Sequence, residues 1–391
     1  MSEVITAYLD SKRDDLIAFT SDLIQIESYT TKEKEASTRV VKEMQALGYD
    51  DVKVDSFGSV MGRVGNGKTV LLYDAHIDVV EALDGADWKH APFSATIEDG
   101  CMHGRGTVDT KSSVCAMVYA GQAMKELGLL EGKTVYISAS VGEEDYDGFF
   151  LENAIREHGI EADFAIIGEP SDLKLAVGHR GRSMYTIRTT GKSAHGSAPH
   201  NGVNAIYKMA EVLKRVEAQQ GKFDLLTGEK GSVVVSNIDA RTASLNAIPD
   251  QCTIYLDRRL ALGETEEIVG AEMDAIVEGT DAKWEIYRAT GESFTGKLID
   301  MHVFLPAWET KTDHPLVQAG EQAIERTTGE TNSIFKWEFA TNGFATNGPF
   351  SVPTIGVGPG EIKYAHMKDE NCKVEDIMSA AKIYTNIAAL I

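Results

Sequence analysis

Imidazoles and carboxylates recur in this chain at places where they could hold divalent cations. The apolar run Thr69-Val-Leu-Leu-Tyr-Asp-Ala ends in His76, and Asp78 follows two residues on. A strand alternates its side chains, so an extended 76–78 puts an imidazole ligand and a carboxylate able to fix its tautomer on one side. Three more predicted strands end in the same way. Strand 134–141 runs into Glu143 and Glu144, strand 163–168 into Glu169 of Gly-Glu-Pro-Ser, and strand 353–357 into the loop that delivers His366. Asp109, in Gly104-Arg-Gly-Thr-Val-Asp-Thr-Lys, stands just before a helical stretch. Each has a plainer reading alone: Asp109 as a helix N-cap, Glu143-Glu144 as a solvated turn, Gly-Glu-Pro as a generic strand exit. Their recurrence after strands is what points to a site, because ligands of open α/β sheets gather at the carboxyl ends of the strands. Two histidines and three carboxylates suit two borderline divalent ions, most often zinc, with one carboxylate bridging. Such a pair lowers the pKa of a shared water and polarises a carbonyl.

The elements that must position these groups alternate. Helices are expected at 3–27 and 33–47, strands at 51–55 and 58–64, a hairpin signal at Asn66-Gly67, then strand 69–75, helix 111–127, strand 134–141, helix 148–158 and strand 163–168. This pattern predicts an α/β fold with a mostly parallel, helix-covered sheet. Near residue 180 it changes. Strand 184–190, helix 203–219, strands 232–238 and 251–258, helix 264–277 and strand 283–289 form a two-layer α+β unit of the kind used as an inserted lid or dimerisation domain. Helix 315–328, the Gly-rich 340–348 stretch, strand 353–357 and helix 374–390 return to the first domain, with 293–312 unassigned. The domain reading is therefore 1–179 and 293–391 for a catalytic domain, with 180–292 inserted.

The bulk numbers exclude several classes. At 391 residues the chain exceeds one typical core and suits two. A formal net charge of −22, from 60 acidic and 38 basic residues, disfavours nucleic acid and anionic membrane as partners. No stretch reads as a bilayer span, and the acidic start lacks a secretory signal. Cys101, Cys115, Cys252 and Cys372 show no C-x-x-C spacing, so a reducing cytoplasm is expected. Gly62-Arg-Val-Gly-Asn-Gly-Lys-Thr69 satisfies the phosphate-loop pattern, but a strand follows it where that loop needs a helix.

Taken together, H-x-D at 76–78, G-R-G-x-x-D-x-K at 104–111, E-E at 143–144, G-E-P-S at 168–171, G-x-x-A-H-G-S-x-P at 191–199 and A-H-x-x-x-E at 365–370 resemble the dizinc amidohydrolases and exopeptidases. These are typified by acetylornithine deacetylase, succinyl-diaminopimelate desuccinylase and glutamate carboxypeptidase. The spelling is nearest the selenium-metabolism hydrolase subgroup, and the likeness covers nearly the whole chain.

The resemblance implies a metal-dependent hydrolase that cleaves an amide or peptide bond of an N-acyl amino acid or small peptide with a dizinc-activated water. A ureido or carbamoyl amide hydrolase of nitrogen-rich metabolites is the nearer alternative, and a non-enzymatic metal-binding protein the more distant one. One zinc would take His76, Asp109 and Glu169, the other Asp109, Glu144 and His366. Cobalt or manganese could replace zinc. Glu143 would be the general base, with Asp78 behind His76, and the Asp109-Thr110 peptide would be cis. His195 would donate to the developing oxyanion, across a homodimer interface or by lid closure. Asn246 and Arg259 would bind the substrate carboxylate, with Arg258 ranked lower. Gly343 lies in Ala340-Thr-Asn-Gly343-Phe-Ala-Thr-Asn-Gly348, the stretch that matches the family's substrate-binding segment but lacks its acid.

Overall fold

The computed structural model describes residues 1–83, 85–224, 231–331 and 333–391. Its organising strand is Thr69–His76, in which Leu71, Leu72, Tyr73 and Ala75 are all buried. A strand with no polar alternation belongs in the middle of a sheet covered on both faces, and that is where it lies. It pairs in parallel with Lys133–Ser140 on one side and Phe164–Ile167 on the other, and Phe164–Ile167 pairs in parallel with Thr354–Gly356. Helices Lys111–Glu126 and Val374–Leu390 pack together as part of the cover. Lys111–Glu126 is buried almost all round, as a helix apolar on every face must be.

The parallel strands form the heart of a mixed sheet: antiparallel strands flank them on both sides, and Ile334–Trp337 adds in parallel to Leu175–His179. Val60–Gly65 and then Asp51–Val54 extend it beyond Lys133–Ser140, and Leu175–His179 closes the other side against Thr354–Gly356. Asn66-Gly67 does not close a hairpin. Val60–Gly65 and Thr69–His76 lie on opposite sides of Lys133–Ser140. The turn is held by that intervening strand, with Gly67 N–H donating to Lys133 C=O at 2.9 Å and Thr69 N–H to Gly132 C=O at 3.1 Å. The phosphate-loop pattern thus spans a strand–turn–strand passage with no helix N-terminus.

A second sheet has its own core. Its order is Ser232–Arg241, Gln251–Leu260, Gly181–Thr190, Lys283–Ile286, all antiparallel. Helices Ala205–Asp224 and Glu266–Val277 bury Met209, Val212, Met273 and Ile276 in one cluster with Tyr185, Ile254 and Leu256. The unassigned 293–312 stretch is made of short pieces. Leu298–His302 forms a hairpin with Arg288–Glu292, Phe304–Leu305 joins Gly181–Thr190, and Trp308–Glu309 joins Leu175–His179. The two-residue strands are too short to show a period, and in Leu298–His302 the apolar Leu298 sits at an exposed position of the alternation. The expected single helix 3–27 is two, Ser2–Ser11 and Arg13–Gln25. Ser11 Oγ donates to Tyr8 C=O at 2.6 Å, a local bond that competes with helix continuation.

His179 ends the Leu175–His179 strand, buried against the Trp308 ring and the 340–348 stretch. Its Nδ1 accepts the Thr341 N–H at 2.8 Å, and burial pushes the imidazole down from 6.5 to about 3. The unfolded chain therefore takes up this proton first as pH falls. The stability this group contributes is whole above pH 6.5 and is lost progressively towards pH 3. Urea midpoints measured across that range should fall with pH in the wild type and fall less steeply in His179→Asn, which is less stable at neutral pH.

Candidate metal centre

The strand ends converge as the topology requires. His76 closes the central strand, Glu143 opens the four-residue helix after Lys133–Ser140, and Glu169 follows Phe164–Ile167. Asp109 lies at the centre of the group. Its Oδ1 is 2.9 Å from His76 Nε2 and its Oδ2 is 3.2 Å from His366 Nε2. Glu144 Oε2 is 2.8 Å from His366 Nε2, Glu169 Oε1 is 3.7 Å from His76 Nε2, and Glu143 Oε2 is 3.9 Å from it. Asp109 therefore reaches both histidines, with Glu169 on the His76 side and Glu144 on the His366 side.

Backbone and side-chain bonds hold these groups in place. Asp78 accepts the N–H of Glu143 at 3.0 Å, the N–H of Glu144 at 3.1 Å and the Thr30 hydroxyl at 2.9 Å. Its backbone carbonyl is nearer to His76 Nδ1, at 3.0 Å, than its carboxylate, at 3.4 Å. Asp78 thus orients the histidine and the Glu143-Glu144 pair at once. Buried Glu370 does the same for the Asp109 loop. One of its oxygens accepts the N–H groups of Gly106, Val108 and Asp109 at 2.8–3.1 Å, while Arg105 holds the other at 2.7 Å. The Asp109-Thr110 peptide is cis, and the Thr110 hydroxyl donates to His76 C=O at 3.0 Å. Beneath the site, Asn342 Nδ2 donates to Asp74 at 2.7 Å, so the acid-free 340–348 stretch is tied to the central strand by an amide.

The electrostatics test whether cations fit. Burial drives the carboxyls of Glu143 and Glu169 well above the usual range, reinforced by the neighbouring acids, and lifts Glu144 to about 7. Burial alone would lower His76, but its bonds to Asp109 and Asp78 and the facing glutamates raise it well above normal. Hydrogen bonds to Asp109 and Glu144 lift His366 to about 10. These side chains by themselves would collect protons to offset crowded negative charge. Divalent cations offset the same charge, and imidazole nitrogens with carboxylate oxygens are a fitting donor set for zinc and its neighbours.

A cavity of about 330 Å³ opens over the group, and Arg259 reaches it from the lid sheet. Alternation along Gln251–Leu260 separates the two arginines. Arg259 faces the cavity with its Nε 2.8 Å from Asp257, whereas Arg258 is buried on the other face between Glu264 and Glu272, at 2.6 and 3.1 Å. The cavity also has lining that the sequence did not suggest. Arg182 stands directly across the strand pair from Arg259 and bridges Asp147 and Asp257, each at 3.4 Å. Its position was legible only once the pairing register was known. Three expected site residues, the oxyanion donor His195 and the substrate-binding Asn246 and Gly343, lie elsewhere. His195 and Asn246 are outside the cavity lining, on exposed lid loops, with His195 Nδ1 2.7 Å from the Ser197 hydroxyl. Gly343 packs against the Trp308 indole, where a Cβ would come within 2.6 Å, and it is Phe339 and Ala340 that line the cavity.

Side chains able to hold divalent cations, lining a cavity together with a buried carboxylate, are the arrangement of a metal-assisted hydrolase. The class is a metallohydrolase. The model of peptidase family M20/M25/M40 matches residues 72–390, and the chain belongs to that family. It is 35% identical over 377 residues to the uncharacterized protein YgeY of Escherichia coli (strain K12), covering 95% of this chain and 93% of that one. It is 27% identical to a succinyl-diaminopimelate desuccinylase of Hydrogenovibrio crunogenus, over 95% of this chain and 97% of the relative. The fold matches the M20 family metallo-carboxypeptidase Sso-CP2 of Sulfolobus solfataricus, with a TM-score of 0.74 at 17% identity over 96% and 98% of the two chains. The protein is thus an enzyme, a hydrolase of amide or peptide bonds.

Proposed function

We propose that this enzyme cleaves an amide or peptide bond of an N-acyl amino acid or small peptide that carries a free carboxylate. The observation that carries the reading is Asp109 within 2.9 Å of one histidine and 3.2 Å of the other. In this reading His76, Asp109 and Glu169 hold one zinc ion, and Asp109, Glu144 and His366 hold the second, with cobalt or manganese as substitutes. When bound, such ions supply Lewis acidity and a more acidic water. Glu143 accepts the proton of the attacking water and hands it to the leaving nitrogen. Arg259 grips the substrate carboxylate, and Asn246 assists from the lid. His195 donates a hydrogen bond to the carbonyl oxygen as negative charge develops there.

Two features support lid movement or pairing of two copies to bring in His195. The lid's edge strand Ser232–Arg241 exposes Val234 and Ile238, and helix Ala205–Asp224 exposes Tyr207. A homodimer through this face is our proposal, as is the division into 1–179, 180–292 and 293–391. The separate cluster of apolar residues in the second sheet supports that division. The four free cysteines are in keeping with a cytoplasmic enzyme, and no helix among the described residues is long and apolar enough to cross a membrane.

Metal-reconstituted protein assayed on N-acyl amino acids, dipeptides and ureido acids tests the substrate class. Turnover confined to ureido acids would replace this reading by the carbamoyl one. Arg259→Ala should raise KM by about ten- to a hundredfold, the worth of a charge-assisted hydrogen bond. His195→Ala should lower kcat by about 10²–10³-fold with metal content unchanged. Equal loss of metal in that variant would contradict the lid role.

A further inference from the structure

A second group of ligand-bearing side chains lies outside the cavity. His90, Glu98 and His103 each offer a donor atom, and these atoms all lie within 4.8 Å of one another. His90 Nε2 is 3.2 Å from Glu98 Oε2, and the two imidazole centroids are 4.6 Å apart. The backbone brings them together. Thr96–Glu98 pairs antiparallel with Cys101–His103, placing His103 opposite Thr96, so Glu98 and His103 share a face of the ribbon. His90 comes to that face from the preceding segment, which is anchored where the Lys89 N–H donates to Asp369 Oδ1 at 2.7 Å.

We propose that His90, Glu98 and His103 form a divalent-cation site separate from the hydrolytic centre, with zinc the best-suited ion. Two imidazoles and a carboxylate are the donor set of an open tetrahedral zinc site. Bonds of about 2.0–2.2 Å place such donors roughly 3.3–3.6 Å apart. His90 and Glu98, at 3.2 Å, are within about 0.1 Å of that spacing already, and a rotamer adjustment at the partly buried His103 completes it. The Lys89 ammonium now ion-pairs with the same Glu98 oxygen. Exposed pairs of this kind contribute little stability, so an incoming dication displaces it readily.

The place of the site in the fold gives it a purpose. His103 immediately precedes the Gly104–Asp109 loop that carries the centre of the hydrolytic site. Arg105 in that loop lies over the Trp88 ring at 5.2 Å and pairs with Glu370. An ion on His90, Glu98 and His103 therefore staples the 88–98 segment to the strand from which the loop departs.

The test is a count of zinc. Chelator-stripped full-length protein is dialysed against micromolar zinc and its metal content is measured per chain. Wild type should carry one equivalent more than His90→Gln, and one more than His103→Gln, with circular dichroism confirming that both variants fold. The count is a difference, so it stands whether the hydrolytic centre itself takes two ions, one or none. Lys89→Met keeps every ligand and removes the competitor; its Kd for the additional ion should fall several-fold. Equal zinc content in wild type and both glutamine variants overturns the proposal. So does an additional ion whose Kd is the same in Lys89→Met as in wild type.

Discussion

Glu143→Gln should leave the protein folded and loaded with metal yet lower kcat by about 10²–10⁴-fold, the usual worth of a positioned general base. The carboxyl lies 3.9 Å from His76 Nε2, farther than the Asp109 contact at 2.9 Å, and it lines the cavity. Its backbone is held by Asp78, which the glutamine leaves untouched. The substitution thus removes the proton acceptor and little else. Steady-state kinetics on the best substrate, beside metal analysis of the same preparation, read the two effects separately. A variant that loses its metal would make Glu143 a ligand and leave the reaction without its base.

Asp109→Ala should do the opposite: metal content collapses first and activity goes with it. Asp109 is the carboxylate in hydrogen-bond contact with both His76 and His366, so its removal breaks the link between the two halves of the centre. It also leaves buried Glu143, Glu144 and Glu169 facing one another with less to hold a compensating cation. Lewis-acid assistance is worth several kcal/mol, so kcat/KM should fall by more than about a thousandfold even at saturating metal. The loop itself should survive, because Glu370 binds its backbone N–H groups rather than the Asp109 side chain. Metal bound at wild-type stoichiometry in Asp109→Ala would remove the bridge from the mechanism.

The two predictions rest on residues of different legibility. His76, Glu143, Glu144 and Glu169 follow strands whose apolar runs are unmistakable, and a strand's carboxyl end is where an α/β sheet places its ligands. Alternation along one strand sends Arg258 and Arg259 to opposite faces, but the preference for Arg259 came from the resemblance, since the pattern does not say which face meets the cavity. Arg182 was not, since its place beside Arg259 depends on which residues two distant strands put opposite each other. Glu370 stood in a motif with no role until its carboxylate was seen to collect the N–H groups of a loop more than 260 residues earlier. The strands within 293–312 and the Leu175–His179 strand were invisible for simpler reasons: a wholly buried segment carries no period, and in Leu298–His302 the apolar Leu298 is exposed, so residue types mask the alternation of burial.

What the chain determined by itself was local: which runs are strands, which side chains follow them, and which chemistry those types can perform. Tertiary structure alone decided the pairings, among them Lys133–Ser140 taking the place beside Thr69–His76 that Asn66-Gly67 had promised to Val60–Gly65. It also put Gly343 against Trp308 and kept His195 outside the cavity. The reason is that period and composition act between residues near in sequence. Register, packing and the approach of the lid are set by contacts between segments far apart, where many arrangements satisfy the same local pattern.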